Sequence, residues 1–194
     1  MKESLANKKI GYAVTASFCT HARSFDALCA LIDLGCEIVP IMSENAYYTD
    51  TRFGKAEDLS RKIEQITKRQ IIHTVVDAEP LGPAEPLDAL VVAPCTGNTL
   101  AKAALGITDT AATMAIKAHL RSDRPLLIAL ATNDAMSQNL GNIGLLLRRR
   151  SVAFVPMRQD SPVGKPHSLV AEFELIPECL ESLLLGEQKR PLFL

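Results

Sequence analysis

Val91-Val92-Ala93-Pro94-Cys95-Thr96-Gly97-Asn98-Thr99 reads as an apolar strand that runs into a small polar turn and then a helix. Upstream, residues 87–92 are almost continuously apolar, the pattern of a parallel strand covered on both faces. In the turn, a rigid proline, a glycine and small side chains let ligand atoms come close to the backbone. The hydroxyls of Thr96 and Thr99, the Asn98 amide and the free N–H groups of the next helix are donors suited to an anion or a polar ring edge. Ligands of open α/β sheets bind at the carboxyl ends of strands, which is where this turn falls.

Outward from that stretch, strands alternate with helices. The pattern predicts strands over 9–14, 36–42, 71–76, 87–93, 125–131 and 152–155. It predicts helices over 24–34, 56–69, 98–120, 135–149 and 169–185, the first of them ended by Gly35. A polar loop spans 45–54, and a proline-rich crossing loop spans 79–86. Such alternation implies an α/β fold: a doubly wound parallel sheet in a flavodoxin-like, three-layer α/β/α sandwich with right-handed crossovers. A single domain over 1–194 is expected, with residues 186–194 frayed or reaching to a neighbouring subunit.

Composition excludes several function classes. An apolar fraction of 47% with 22% charged residues is that of a globular chain with an ordinary core. A net charge of −1 leaves no footprint for nucleic acid. The tight run Arg148, Arg149 and Arg150 ends a predicted helix, where cations favour the dipole. No secretory signal opens the chain, and no apolar run reaches the roughly 18–20 residues that cross a bilayer. The five cysteines are scattered without a CxxC pair, which fits reduced thiols in a cytoplasm and no metal site.

Four polar turns fall at strand ends. The first, Thr15 to Thr20, lacks GxGxxG and a Walker lysine, yet Thr15, Ser17 and nearby amides suit a phosphate. Ser43 follows the second strand, Thr96 to Thr99 the fourth, and Thr132 with Asn133 the fifth. The first turn, Ser43, and Thr132 with Asn133 are also readable as helix caps when taken alone. Arg52, and the group Arg158, Lys165 and His167, are candidates for holding an acidic substrate or ordinary surface charges. His73 reads as structural, and His21 is open. Cys19 and Cys95 lie near helix starts, where a thiol pKa can fall.

Pro94-Cys95-Thr96-Gly97-Asn98-Thr99 resembles the Pro-Ala-Ser-Ala-Asn-Thr motif of the flavoprotein family that includes phosphopantothenoylcysteine decarboxylase and the peptidyl-cysteine decarboxylases. Asn133-Asp134-Ala135-Met136 is similar to that family's Asn-x-x-Met segment, and Thr15 to Phe18 to its phosphate-binding turn. The likeness covers residues 8–160. It implies FMN, or a phosphate or other anion in the same place. Taken together with the strand-end hydroxyls Ser43 and Thr132, it makes Thr15, Ser17, Phe18, Ser43, Pro94, Thr96, Gly97, Asn98, Thr99, Thr132 and Asn133 the candidate cofactor-binding residues. Three departures speak against decarboxylation. Residues 79–86 hold no histidine, Leu130 and Thr132 replace the family's proline and methionine, and 157–168 lack the lid cysteine.

A narrower branch of the family shares Thr49-Asp50-Thr51-Arg52-Phe53-Gly54, the proline-rich 78–83, and the segments 93–98 and 132–135. This resemblance implies formation of dipicolinic acid from a dihydrodipicolinate-type dicarboxylate during sporulation, in the mother-cell cytoplasm. It also implies an oligomer and a dehydrogenase-like partner, the A subunit of the same enzyme. Asn98 and Arg52 are the candidate catalytic residues. A non-catalytic scaffold that binds only an anion, or a flavin-dependent decarboxylase, are the alternatives.

Overall fold

The computed structural model describes residues 5–194. Strands β1 (Lys9–Val14), β2 (Glu37–Met42), β3 (Ala89–Cys95), β4 (Leu126–Thr132) and β5 (Val152–Phe154) run parallel. They are joined by β6 (Met157–Arg158) and β7 (Leu169–Ala171), which pair antiparallel to each other, β7 also pairing antiparallel with the end of β4. The order is β2-β1-β3-β4-β7-β6, and β4 divides its far edge between β5, along residues 126–128, and β7, along 131–132.

Alternate side chains of the central strands serve opposite layers, as strand geometry requires. Ile10, Tyr12, Val91, Ala93, Leu127 and Ala129 face a core shared with α1 (His21–Asp33), α3 (Ala56–Thr67) and α8 (Ile176–Leu184). Leu90, Val92, Leu126, Ile128 and Leu130 face the other core, shared with α5 (Gly97–Leu105), α6 (Ala111–Leu120) and α7 (Leu140–Leu147). The α/β sandwich is therefore as expected, with an antiparallel hairpin added. That hairpin escapes sequence reading because strands of two and three residues show no periodicity.

Other boundaries move for local reasons. The helix expected over 98–120 breaks at Gly106, whose φ of +74° a side chain would resist. Thr110 then starts α6 with a reciprocal Thr110–Thr113 capping box. The strand expected over 71–76 shrinks to one bridge between Ile41 and Ile72, because Thr74 caps the short α4 (Val75–Ala78). The loop over 45–54 contains α2 (Glu44–Tyr48), capped by Ser43. The helix expected from 135 begins at Leu140, since the Asp134 carbonyl first accepts Ser137 N and Asn139 N in a turn. The helix expected over 169–185 is β7 followed by α8. No helix of the described residues is long and apolar enough to cross a membrane.

The stretch expected to fray is tied to its own chain. Phe154 N donates to Gln188 Oε1 at 2.8 Å and Gln188 Nε2 returns a bond to Phe154 O at 2.7 Å. Met157 exchanges backbone bonds with Leu192 and Leu194.

Candidate functional site

The carboxyl ends of β2, β1, β3 and β4 form one rim, and direct bonds link their turns. Thr15, buried at the end of β1, donates its hydroxyl to Pro94 O at 2.7 Å and accepts Thr96 N at 3.0 Å. Its own N–H donates to the same Pro94 carbonyl, and the Ala93–Pro94 peptide is cis. Ser43 N donates to Val14 O, joining the β2 turn to β1.

The third and fourth turns are pressed together at Gly97. A methyl group there would stand 2.6 Å from Thr132 Oγ1 and Asn139 Nδ2, and 2.7 Å from Asp134 Oδ1. Only glycine permits that approach. Along the rim, then, the sequence-selected turns do converge, but several of their hydroxyls are already used. Thr96 caps α5, accepting Thr99 N at 3.1 Å and donating to Thr99 Oγ1 at 3.0 Å. Thr132 donates to the Asp134 carboxylate, and Ser43 caps α2. Thr99 is buried, while Asn133 is exposed and accepts a bond from Ser168 Oγ at 3.4 Å.

Unused polar groups lie elsewhere. The main-chain N–H groups of Ala16, Phe18 and Cys19, and the Ser17 hydroxyl, have no partner among the described residues. They follow β1 and lead into α1, three residues earlier than the sequence suggested. Asn98, exposed on the first turn of α5, is also without a partner among the described residues.

Beside the first turn opens a cavity of about 400 Å³. One wall is Phe18, Cys19, His21, Phe25 and Asp26; the other is Thr51, Phe53, Lys55, Asp58 and Lys62. Neither lysine and neither aspartate has an ion-pair partner among the described residues. Arg52, between Thr51 and Phe53, is not among the lining residues; its guanidinium lies over the Phe53 ring at 4.9 Å. Lys55 and Lys62 went unnoticed in the sequence because they look like the solvated face of a charged helix. Only the fold of residues 49–62 against the start of α1 gives them a wall to share.

His21 is the titratable ring on this wall. Its Nε2 stands 2.8 Å from Thr15 O, and Phe18 tilts against it with ring centroids 5.2 Å apart. Burial holds its pKa below the ordinary histidine value, only partly offset by the bond to the Thr15 carbonyl.

The remaining candidates are accounted for locally. Burial pushes the Cys95 thiol far up, so the expected lowering by the helix start is overridden. Cys19 is exposed at the cavity. Arg158 pairs with Glu172, Lys165 with Asp160 at 2.9 Å, and the His167 carbonyl accepts Met136 N. His73 stacks on the Tyr47 ring with centroids 3.9 Å apart.

Comparisons with known proteins agree with this architecture. A family model described as Flavoprotein matches residues 1–171. The dipicolinate synthase B subunit of Bacillus subtilis (strain 168) is 40% identical over 97% of this chain and 94% of its own. The crystal structure of the dipicolinate synthase B subunit from Bacillus halodurans C superposes with a TM-score of 0.90 at 38% identity, covering 99% of this chain and 98% of that one. The FMN-dependent cysteine decarboxylase SpaF shares the fold, with a TM-score of 0.64 at 23% identity over 93% of this chain and 97% of that one. The chain belongs to the flavoprotein family and, within it, to the family of dipicolinate synthase B subunits.

Proposed function

We propose that this chain works with the dehydrogenase-like A subunit of dipicolinate synthase, and that the cavity beside the first turn receives the dicarboxylate to be aromatised. The observation that carries the reading is 40% identity, nearly end to end, to a B subunit of that enzyme. Aromatising a dihydrodipicolinate-type ring to pyridine-2,6-dicarboxylate removes two electrons and two protons. That oxidation calls for a two-electron acceptor.

The residues present fit the phosphate end of FMN. Three free amides and the Ser17 hydroxyl make a donor cradle where the β1 turn enters α1. FMN, when bound, supplies a two-electron acceptor. Thr15, Ser43 and Thr132 shape this edge through bonds to their own chain. Phe18 offers an apolar ring face, and Asn98 a free amide at the rim. Lys55 and Lys62 supply the positive charge in the lining that attracts the carboxylates. His21 Nδ1 accepts a proton from the ring. The chain assembles as a homo-oligomer in the mother-cell cytoplasm.

The test is reconstitution. The dehydrogenase-like partner alone, this chain alone and the two together are given the precursor, and pyridine-2,6-dicarboxylate is followed by its ultraviolet absorbance. Product formed only by the pair supports the reading, and equal turnover by the partner alone overturns it. A second reading, a scaffold that completes the dehydrogenase without redox chemistry, is favoured by the self-paired hydroxyls of Thr15, Thr96 and Thr132. A flavin absorbance band in the purified pair separates the two.

A further inference from the structure

At the opposite, amino-terminal edge of the sheet lies a second cleft, of about 1050 Å³. Its apolar lining comes from Leu147, Val152, Ala153, Leu183 and Leu192. Arg149, Arg150 and Arg190 also line it, all three exposed and none with an ion-pair partner among the described residues. Glu187 is the one carboxylate among the lining residues. In a chain of net charge −1, that is a local excess of positive charge.

The C-terminal segment builds one wall. Chain ends fray unless tied down, and here Gln188 clamps both backbone groups of Phe154 while Leu192 O accepts Met157 N at 2.9 Å. The clamp leaves Arg190 and Leu192 lining the same cleft as Arg149 and Arg150.

We propose that this cleft binds an organic anion with an apolar body, at a site separate from the cavity beside the first turn. Guanidinium forks recognise carboxylate, sulfonate or phosphate oxygens in paired hydrogen bonds. The apolar surface between them favours a hydrocarbon body over a hydrated inorganic ion. The volume is that of a small-molecule site.

The probe is 8-anilinonaphthalene-1-sulfonate, titrated into the full chain by fluorescence. Binding should be saturable, at least tenfold weaker in the Arg149→Ala/Arg150→Ala double variant and at least threefold weaker in Leu147→Asn. Arg148→Ala, beside the cleft, and Lys62→Ala, in the lining of the other cavity, should bind as the parent does, and circular dichroism should match throughout. Equal binding by the double variant overturns the proposal. So does a loss with the arginines but none with Leu147→Asn, which would mean simple charge attraction. A loss with Lys62→Ala would put the probe in the other cavity and overturn it equally.

Discussion

His21 Nε2 stands 2.8 Å from the carbonyl oxygen of Thr15, and this one bond fixes the tautomer of the ring on the cavity wall. A carbonyl oxygen only accepts, so Nε2 carries the proton and Nδ1 presents its lone pair. Burial keeps the ring neutral to lower pH than an ordinary histidine. A proton acceptor works in its deprotonated form. Product formation by the reconstituted pair should therefore stay level across neutral pH and fall only below the ordinary histidine range. A pH–rate profile that already falls between 7 and 6.5, the ordinary histidine value, would assign the proton to another group.

Thr15 ties two strand ends, so Thr15→Val should lower stability by about 1–3 kcal/mol, the cost of leaving the Thr96 amide without its buried acceptor. Urea unfolding measures this, and an unchanged midpoint would contradict the tie.

Gly97→Ala puts a methyl group within 2.6 Å of two side-chain atoms from the neighbouring turn. The turns at 97 and 132–139 must part, at about 1–3 kcal/mol. Thermal unfolding reads the loss. Gly141, with nothing within 4 Å of an added methyl, is the control, and its alanine variant should not lose stability.

His119 gives the fold a pH dependence of its own. The ring is fully buried on α6, its Nε2 is 2.8 Å from Pro125 O and its Nδ1 has no partner. Burial lowers its pKa to about 4. Below pH 6.5 the unfolded chain binds a proton that the folded one refuses. Stability is therefore full above about 6.5 and declines as pH falls toward 4, by about 3 kcal/mol at most. His119→Leu should flatten that decline in chemical denaturation at pH 7 and pH 4.5; an identical slope would rule His119 out.

Much of the fold was legible because β1, β2, β3 and β4 are apolar runs closed by turn residues. Gly35, with φ +84°, ends α1 as its sequence position implied. What was not legible depended on tertiary contact. Val75 and Val76 favour a strand by side chain, yet the Thr74 cap makes them helical. The rim residues were readable from residue type at strand ends. Whether Thr15 or Thr132 was free was not, because that depends on Pro94 and Asp134 arriving from elsewhere in the fold. Lys55 and Lys62 carried no motif at all.

The most direct test of the proposed site is the His21→Gln variant, assembled with the dehydrogenase-like partner and assayed for pyridine-2,6-dicarboxylate. Glutamine can still donate to the Thr15 carbonyl but has no basic nitrogen, so assembly and any flavin band should persist. Turnover should fall about a hundredfold, the scale of a lost general base. Parent-level turnover by the variant complex would contradict the account.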